Sequence, residues 1–469
     1  MINRTREQVP DGPVGPDLGP VGPDLGPAKP DLGPAVPLPA ADGAASVGDG
    51  AISVGDLADD VVPGQPQGRG FLLVFWLGWF GGSFASGSIA GAAVPKLFAF
   101  IDDASKEYNL SITSVVSGII AMIITPLFGR LSDRTMSRWG IRRPWLFAGL
   151  AVALVGAALL SVADSLPGVL LGLGMGQLGF GAINMVLHAL IADQVPKRTR
   201  ARTAGVLGVG GSIAVLLGVQ VIAFLPNDQR WSWFIVPGVI GCAMVLLLAF
   251  RLKDIVRTAP AEPMNWKMIL STYWLNPVKY RNFFWAWWCR LLVTMSIVSV
   301  TTYLLYYIID VLGYPKETAS GLFAQAVVVF SIGNVVMTIL FGWLSDKIGR
   351  RKPIVLISCL FSAVGLGMLV FSHDTVTFFV ALAVVGAAQG AFISVDIALM
   401  TEVLPSINDA GKDLGVVALS YQLSGLLVPV VAIPLLSLGG GGNYQALYVA
   451  SLVCGVLGGL CVIPIRGVR

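Results

Sequence analysis

Two charged turns hold the residues of this 469-residue chain whose types and spacing best suit chemistry. The first reads Gly129-Arg130-Leu131-Ser132-Asp133-Arg134 and continues through Ser137-Arg138-Trp139-Gly140-Ile141-Arg142-Arg143-Pro144. The second, shorter, reads Gly342-Trp343-Leu344-Ser345-Asp346-Lys347-Ile348-Gly349-Arg350-Arg351-Lys352-Pro353. In each, a carboxylate lies four residues after a glycine and just ahead of a cluster of basic side chains. A carboxylate so placed can form charge-assisted hydrogen bonds to the arginines behind it or to a nearby helix N-terminus, and can release them when the supporting elements move. Solvated loop charge explains one such turn well and two matching turns poorly. Arg290 and Asp396 form a second candidate, because each interrupts an apolar run. An ionisable group there is costly unless paired or used.

The elements that must position these groups are set by composition. The chain is 55% hydrophobic and 12% charged, where a soluble domain is roughly a quarter charged, and its mean hydropathy of +0.77 does not fit a water-exposed surface. Apolar runs of about 20 residues, enough to cross a bilayer as helix, recur along most of the length. Twelve spans are expected, at 71–98, 111–132, 145–164, 167–192, 203–226, 231–252, 282–312, 318–344, 353–372, 375–402, 416–438 and 444–466. The expected fold is therefore an all-α membrane protein of twelve transmembrane helices. Basic residues cluster on one side of these spans, at Arg130 to Arg143, Lys197 to Arg202, Arg251 to Arg281, Lys347 to Lys352, Lys412, Arg466 and Arg469, against Lys96, Lys106, Arg230 and Lys316 on the other. The positive-inside rule then places both termini and both charged turns in the cytoplasm, in a multi-pass protein of the cytoplasmic membrane. The five cysteines, Cys242, Cys289, Cys359, Cys454 and Cys461, all lie in apolar runs without metal-like spacing and read as small core residues.

An internal repeat organises the spans. Ala192-Asp193-Gln194-Val195-Pro196 aligns with Thr401-Glu402-Val403-Leu404-Pro405, and the same offset carries Gly181-Ala182 onto Gly390-Ala391 and Arg143-Pro144 onto Lys352-Pro353. Two six-helix bundles related by a pseudo-two-fold, 69–252 and 282–469, are expected, joined by a cytoplasmic segment, 253–281, lying along the membrane surface. Ahead of them, residues 1–68 contain no aromatic residue and repeat Pro-Asp-Leu-Gly-Pro from Pro16, Pro23 and Pro30. Proline at that density forbids a helical heptad. Ten acidic residues against Arg4, Arg6 and Lys29 make the tail negative, so a disordered cytoplasmic extension is expected that avoids anionic lipid. It is either dispensable or a docking segment.

Enzyme signatures fail. No Gly-x-x-x-x-Gly-Lys-Ser/Thr phosphate loop, His-Glu-x-x-His or nucleophile elbow occurs, and the glycine run 205–211 lies inside a span and follows no strand. No cofactor, metal or nucleic-acid partner is expected. The turn pattern Gly-x-x-x-Asp-Arg/Lys-x-Gly-Arg/Lys-Arg/Lys resembles the major facilitator superfamily. The longer first turn, with Ser137-Arg138-x-Gly140-x-Arg142-Arg143-Pro144, is similar to glycoside–pentoside–hexuronide:cation symporters and plant sucrose/proton symporters. Ser394-Val395-Asp396-Ile397-Ala398-Leu399, Val403-Leu404-Pro405 and Lys412-Asp413-Leu414-Gly415-Val416 resemble actinobacterial members. The resemblance covers residues 71–469 and implies a rocking secondary transporter, a monomer that binds a small-molecule cargo between its halves with the proton as coupling ion.

That resemblance gives the residues roles. The turns, with Gly129, Asp133, Arg134, Arg138, Gly140, Arg142, Arg143, Gly342, Asp346, Lys347, Gly349, Arg350 and Arg351, become a cytoplasmic gate, and Gly129 and Gly342 give partner helices room for close approach. Arg290 and Asp396 sit at similar depth, about 9–12 Å from the cytoplasmic helix ends at about 1.5 Å per residue, so they are expected to approach as an ion pair. The pair either pins the seventh span to the tenth or couples movement to a proton that competes for the carboxylate. Gln389 shares the face of Asp396. Gln325, Asn334, Tyr303, Tyr306, Tyr421 and Gln422 in the second half, and Gln177, Asn184, His188, Trp76 and Trp79 in the first, are candidates for the cavity lining, each weighed against an ordinary helix–helix hydrogen bond. Amides and hydroxyls beside aromatic faces suit a sugar or a polycyclic antibiotic. Proton-coupled uptake of a sugar or glycoside is favoured by the long turn. The alternatives are efflux of a drug or secondary metabolite, disfavoured because the fifth span lacks a Gly-Pro dipeptide, and a non-transporting sensor that would need the tail as output.

Overall fold

The computed structural model describes residues 70–256, 279–403, 410–439 and 441–465, without the side chains of Lys197, Ala201, Asp346, Ile397, Thr401 and 410–415. The acidic tail, most of the joining segment (257–278), the Asp346 carboxylate and the Lys412-Asp413 side chains thus lie outside the described residues. Twelve helices follow one another, with no strand among the described residues: α1 (Phe71–Ile101), α2 (Lys106–Asp133), α3 (Arg143–Ser161), α4 (Leu166–Gln194), α5 (Lys197–Phe224), α6 (Ser232–Arg251), α7 (Arg281–Asp310), α8 (Lys316–Ile348), α9 (Lys352–Phe371), α10 (Thr375–Glu402), α11 (Ala410–Ser437) and α12 (Tyr444–Leu460). The first eleven are long and apolar enough to cross a membrane, and α12 is a shorter apolar helix.

The helices depart from the expected spans mainly at their ends. α2 starts at Lys106, five residues before the expected 111, and α5 starts at Lys197 instead of 203. Hydropathy assigns such charged first turns to loops, whereas their side chains find partners or water while the backbone stays helical. Within α1, Ile89–Ala93 form a π turn closed by the Val94 N–H on the Ile89 carbonyl. Pro95 follows at once. Its ring would meet the carbonyl four residues back and it offers no N–H, so the wider turn relieves the helix where proline would otherwise break it.

The packing repeats between the two halves. α1 packs on α5 and α6 as α7 packs on α11 and α12. α3 packs on α4 and α6 as α9 packs on α10 and α12, and α2 packs on α4 as α8 packs on α10. Between the halves, α2 packs on α11 and α5 packs on α8, two contacts that convert into one another when the halves are exchanged. This is the twelve-helix, pseudo-two-fold arrangement that the sequence repeat implies.

Glycines bring backbones together at α1–α6 (Gly81, Gly241) and α3–α4 (Gly156, Gly179), and the tightest approach to another backbone is on α10. An alanine Cβ at Gly386 would lie 2.1 Å from the Phe330 carbonyl oxygen, and one at Gly390 would lie 2.1 Å from the Asn334 oxygen. These two glycines, four residues apart, let the backbones of α8 and α10 touch. At Gly129 and Gly342 the expectation of close approach is corrected. A Cβ there would meet only Met185 Cγ and Ser394 Cβ, each at an ordinary 3.9 Å. Both glycines lie in the last two turns of their helices, at ordinary van der Waals distance from their neighbours in this conformation. The glycine run of α5 is packing, as its position inside a span implied: Gly210 and Gly211 receive the indoles of Trp76 and Trp79.

Candidate functional site

The two charged turns lie at one end of the bundle, here the hairpin end. Asp133 and Arg142 pair at 2.7 Å, and Arg142 also bonds Asp193 at the end of α4 (2.8 Å) and donates to Ser132 Oγ (2.9 Å). Only 7% of the Arg142 side chain is exposed. Burial works against its charge, but Asp193 and Asp133 together hold the guanidinium pKa above its ordinary value. In the second half, Arg351 pairs with Glu402 at 3.0 Å. Arg351 and Glu402 stand in the repeat where Arg142 and Asp193 stand, so each half ties its turn to the end of its own fourth helix with one arginine–carboxylate pair. Of the other turn residues, Arg138, Lys347 and Arg350 are exposed, and Arg134 and Arg143 are partly buried. Lys347 lies over the Trp343 ring at 4.9 Å, and Arg143 donates to the Phe250 carbonyl (2.8 Å).

Sequence reading passed over Asp254, just beyond α6. Its Oδ2 accepts from the backbone N–H groups of Arg142 (2.6 Å) and Arg143 (2.7 Å), so a residue about 110 positions away in sequence caps the first turn of α3. Burial pushes the Asp254 carboxyl upward, opposed by these bonds and that of the Ile255 N–H. Gly140 makes the cap possible. It adopts φ +105°, and a Cβ there would stand 2.2 Å from Asp254 Oδ2. Gly349, its counterpart in the second turn, also has positive φ (62°) and caps α8 with its N–H on the Ser345 carbonyl (2.9 Å). No local motif flags Asp254, because its partners come from another part of the chain.

Deeper in the second half, α7 and α10 bring Arg290 and Asp396 into a direct ion pair, with 17% and 7% of their side chains exposed. Arg290 Nε is buried without a hydrogen-bond partner. Asn334 Nδ2 donates to Gln389 Oε1 (2.9 Å), joining α8 to α10 at the close glycine contact itself. In the first half, His188 is exposed, its Nδ1 lies 2.8 Å from the Asn184 carbonyl, and its ring lies 4.6 Å from Trp79. Gln177 lines a cavity of about 20 Å³ beside the π turn of α1, room for about one water. Gln325 and Tyr421 are exposed, and Gln422 is partly buried.

Tyr303 and Tyr306 do not line open space, which corrects the expectation for them. Both are fully buried. Tyr303 Oη shares a hydrogen with Ser111 Oγ (2.6 Å), and Tyr306 donates to the Pro95 carbonyl (3.1 Å). They belong to a seal between the halves at the end opposite the hairpins. There Lys106 of α2 bonds Asp310 of α7 (2.6 Å), Gln220 of α5 donates to the Ala324 carbonyl of α8 (2.8 Å), and Asn227 donates to the Glu317 carbonyl (3.0 Å). Toward the hairpin end, Val206 and Val209 of α5 and Ile339 and Trp343 of α8 are exposed. A hydroxyl inside a span announces a polar partner, but not whether that partner is cargo or the other half.

Comparison with known proteins agrees with this geometry. The sequence profile described as Major Facilitator Superfamily matches residues 72–328 and 317–468. A probable 4-methylmuconolactone transporter of Cupriavidus pinatubonensis (strain JMP 134 / LMG 1197) is 25% identical over 348 residues, 71% of this chain and 77% of that protein. The multidrug resistance protein MdtG of Proteus mirabilis (strain HI4320) is 23% identical over 305 residues, 62% of this chain and 71% of that one. The crystal structure of the nucleoside transporter NupG superimposes with a TM-score of 0.65 at 13% identity, covering 85% of this chain and 100% of that chain.

Proposed function

The chain belongs to the major facilitator superfamily and is a membrane transporter, and from that premise we propose that it is a proton-coupled secondary carrier importing a sugar or glycoside through the cytoplasmic membrane. The observation that carries the alternating-access part is the pair of exchangeable contacts between the halves, α2 on α11 and α5 on α8. A carrier built from two such halves closes one end by repacking one set of surfaces and the other end by repacking the equivalent set. In this reading the hairpin end is cytoplasmic by its basic residues, the far end is sealed, and the exposed hairpin-side faces of α5 and α8 border the path to the cytoplasm. The turns act as gate elements, held to their own halves by Arg142 and Arg351 while the far end is shut.

Arg290 and Asp396 are the coupling candidates. A buried carboxylate paired with one arginine can release it to a proton, and the freed guanidinium can then take a polar cargo or a new position. Gln389, Asn334, Asn184, His188 and Gln177 supply the remaining cavity groups, and amides beside the Trp79 ring suit a pyranose. Export is the second reading, favoured by the similarity to MdtG. Purified protein in proteoliposomes, given labelled mono- and disaccharides with and without an inward pH gradient, tests the proposal. Accumulation that collapses with the gradient supports uptake; gradient-driven extrusion of a lipophilic dye with no sugar accumulation replaces it with export.

A further inference from the structure

The sealed far end contains a hydrogen-bond chain that needs one more proton than its ionised side chains supply. Lys106 Nζ lies 2.8 Å from Asp103 Oδ1 and 2.6 Å from Asp310 Oδ1, so one cation bridges its own half to the other. The second oxygen of Asp310 lies 2.6 Å from Tyr444 Oη, and the same phenol lies 2.8 Å from Glu107 Oε1. Tyr444 carries a single hydrogen, and an ionised carboxylate only accepts. One hydrogen cannot occupy both short O···O lines. If both carboxylates were ionised, one of these contacts would set bare lone pairs against each other. The chain is complete when Tyr444 donates to one carboxyl and accepts from the other in its acid form.

The surroundings decide which carboxyl holds the proton. Asp310 has the Lys106 ammonium on its other oxygen. Among the described residues no ion pair reaches Glu107. From α2 and its approach, Glu107 is joined by Lys106, Asp103 and Asp102, the last bonded to Asn109 Nδ2 (2.8 Å). From α7 come Asp310, Tyr303, Tyr306 and Tyr307, and from α12 Tyr444 with Tyr448 behind it, while the lysines of α1 and α8 are engaged elsewhere, Lys96 over the Trp233 ring and Lys316 over the Phe100 ring. The negative charges of Asp103 and Asp310 thus outnumber the one ammonium within bonding reach. We propose that Glu107 holds a proton while the far end is closed, donating it to Tyr444 Oη, which in turn donates to Asp310, and that this proton leaves when α12 and α7 part from α2.

Closure of this mouth then takes up one proton, so the closed-to-open ratio falls with rising pH by at most tenfold per pH unit. The inference goes beyond the coupling pair and needs no cargo, although it shares the reading of this end as a gate. Its test uses the full chain in lipid nanodiscs with Cys454 and Cys461 replaced by serine and spin labels at Asp228→Cys and Thr318→Cys, exposed positions next to Asn227 and Glu317, which bond across the seal. The distance distribution is recorded from pH 5 to pH 9. The short-distance population should fall across this range in the parent protein. Glu107→Gln keeps a donor amide beside Tyr444 and should stay closed with no pH response. Asp310→Asn, which strips Lys106 of its partner across the interface, should open at every pH. A Glu107→Gln protein that keeps the parent's pH response, or a parent that stays closed throughout, overturns the proposal. Because the readout is a distance, failure to find a transported solute leaves this outcome readable.

Discussion

Replacing Arg290 and Asp396 singly and together separates a static pin from a working ion pair. Asp396 is 5% exposed, and among the described residues the Arg290 guanidinium is its one cationic partner. Arg290→Gln leaves a buried carboxylate without its counter-charge, and Asp396→Asn leaves a buried guanidinium in the same position. Removing one member of a buried pair costs about 3–5 kcal/mol, a large share of a typical net stability of about 5–15 kcal/mol. Neutralising both removes the stranded charge, and replacement of a whole buried pair is often close to neutral. The double variant should therefore regain most of the loss, returning to within about 1 kcal/mol of the parent, so that the two single losses together exceed the double loss by about 5–9 kcal/mol. Unfolding in nanodiscs followed by tryptophan fluorescence measures all four proteins. If each single change costs under about 1 kcal/mol, or the losses simply add, the two side chains do not form a buried pair and the argument fails. Transport in the same proteins divides the roles. A coupling pair predicts that the double variant folds and moves cargo downhill but no longer accumulates it against a gradient, whereas a static pin predicts normal accumulation.

Other expectations follow from local geometry. Gly390→Ala places a Cβ 2.1 Å from a backbone oxygen that cannot swing away and should cost about 1–3 kcal/mol, measured as a fall in melting temperature, while Gly342→Ala, with its nearest neighbour at 3.9 Å, should be neutral or slightly stabilising. Asp254→Ala strands two N–H groups at the start of α3 and should cost about 1–3 kcal/mol. Gly140→Ala should cost about as much or more in the parent and clearly less in an Asp254→Ala background, because the clash is with Asp254 itself; strictly additive losses would contradict that. Asp193→Asn should destabilise more than Glu402→Gln, since Arg142 is 7% exposed and Arg351 28%, and exposed pairs contribute only about 0–1 kcal/mol.

The legible parts of this molecule were those encoded in periodic or repeated signals. Hydropathy located twelve helices, and the Asp193/Glu402 repeat set which helices correspond, because a duplicated bundle conserves the residues that hold its turns. Arg290 and Asp396 stood out because little else in α7 and α10 is charged at that depth. The residues that join distant segments were harder to read. Lys106 and Glu107 looked like loop charges because their partners, Asp310 and Tyr444, come from the other half, about 200 and 340 residues along. Tyr303 and Tyr306 carried the signal of buried hydroxyls in a span, which the seal and a cargo cavity share. The close approach that the turn pattern suggests at Gly129 and Gly342 falls to Gly386 and Gly390 in this conformation, since a glycine's spacing does not reveal which neighbour approaches it.

Two distances recorded on the same sample test the central claim that the halves rock about a shared interface. One spin-label pair bridges the far end at Asp228→Cys and Thr318→Cys, and the other bridges the hairpin end at Arg138→Cys and Arg350→Cys, all exposed positions. Rocking gives reciprocal populations: whenever conditions lengthen the first distance, the second shortens by the same fraction of molecules. Two distances that stay fixed, or that lengthen together, would contradict it.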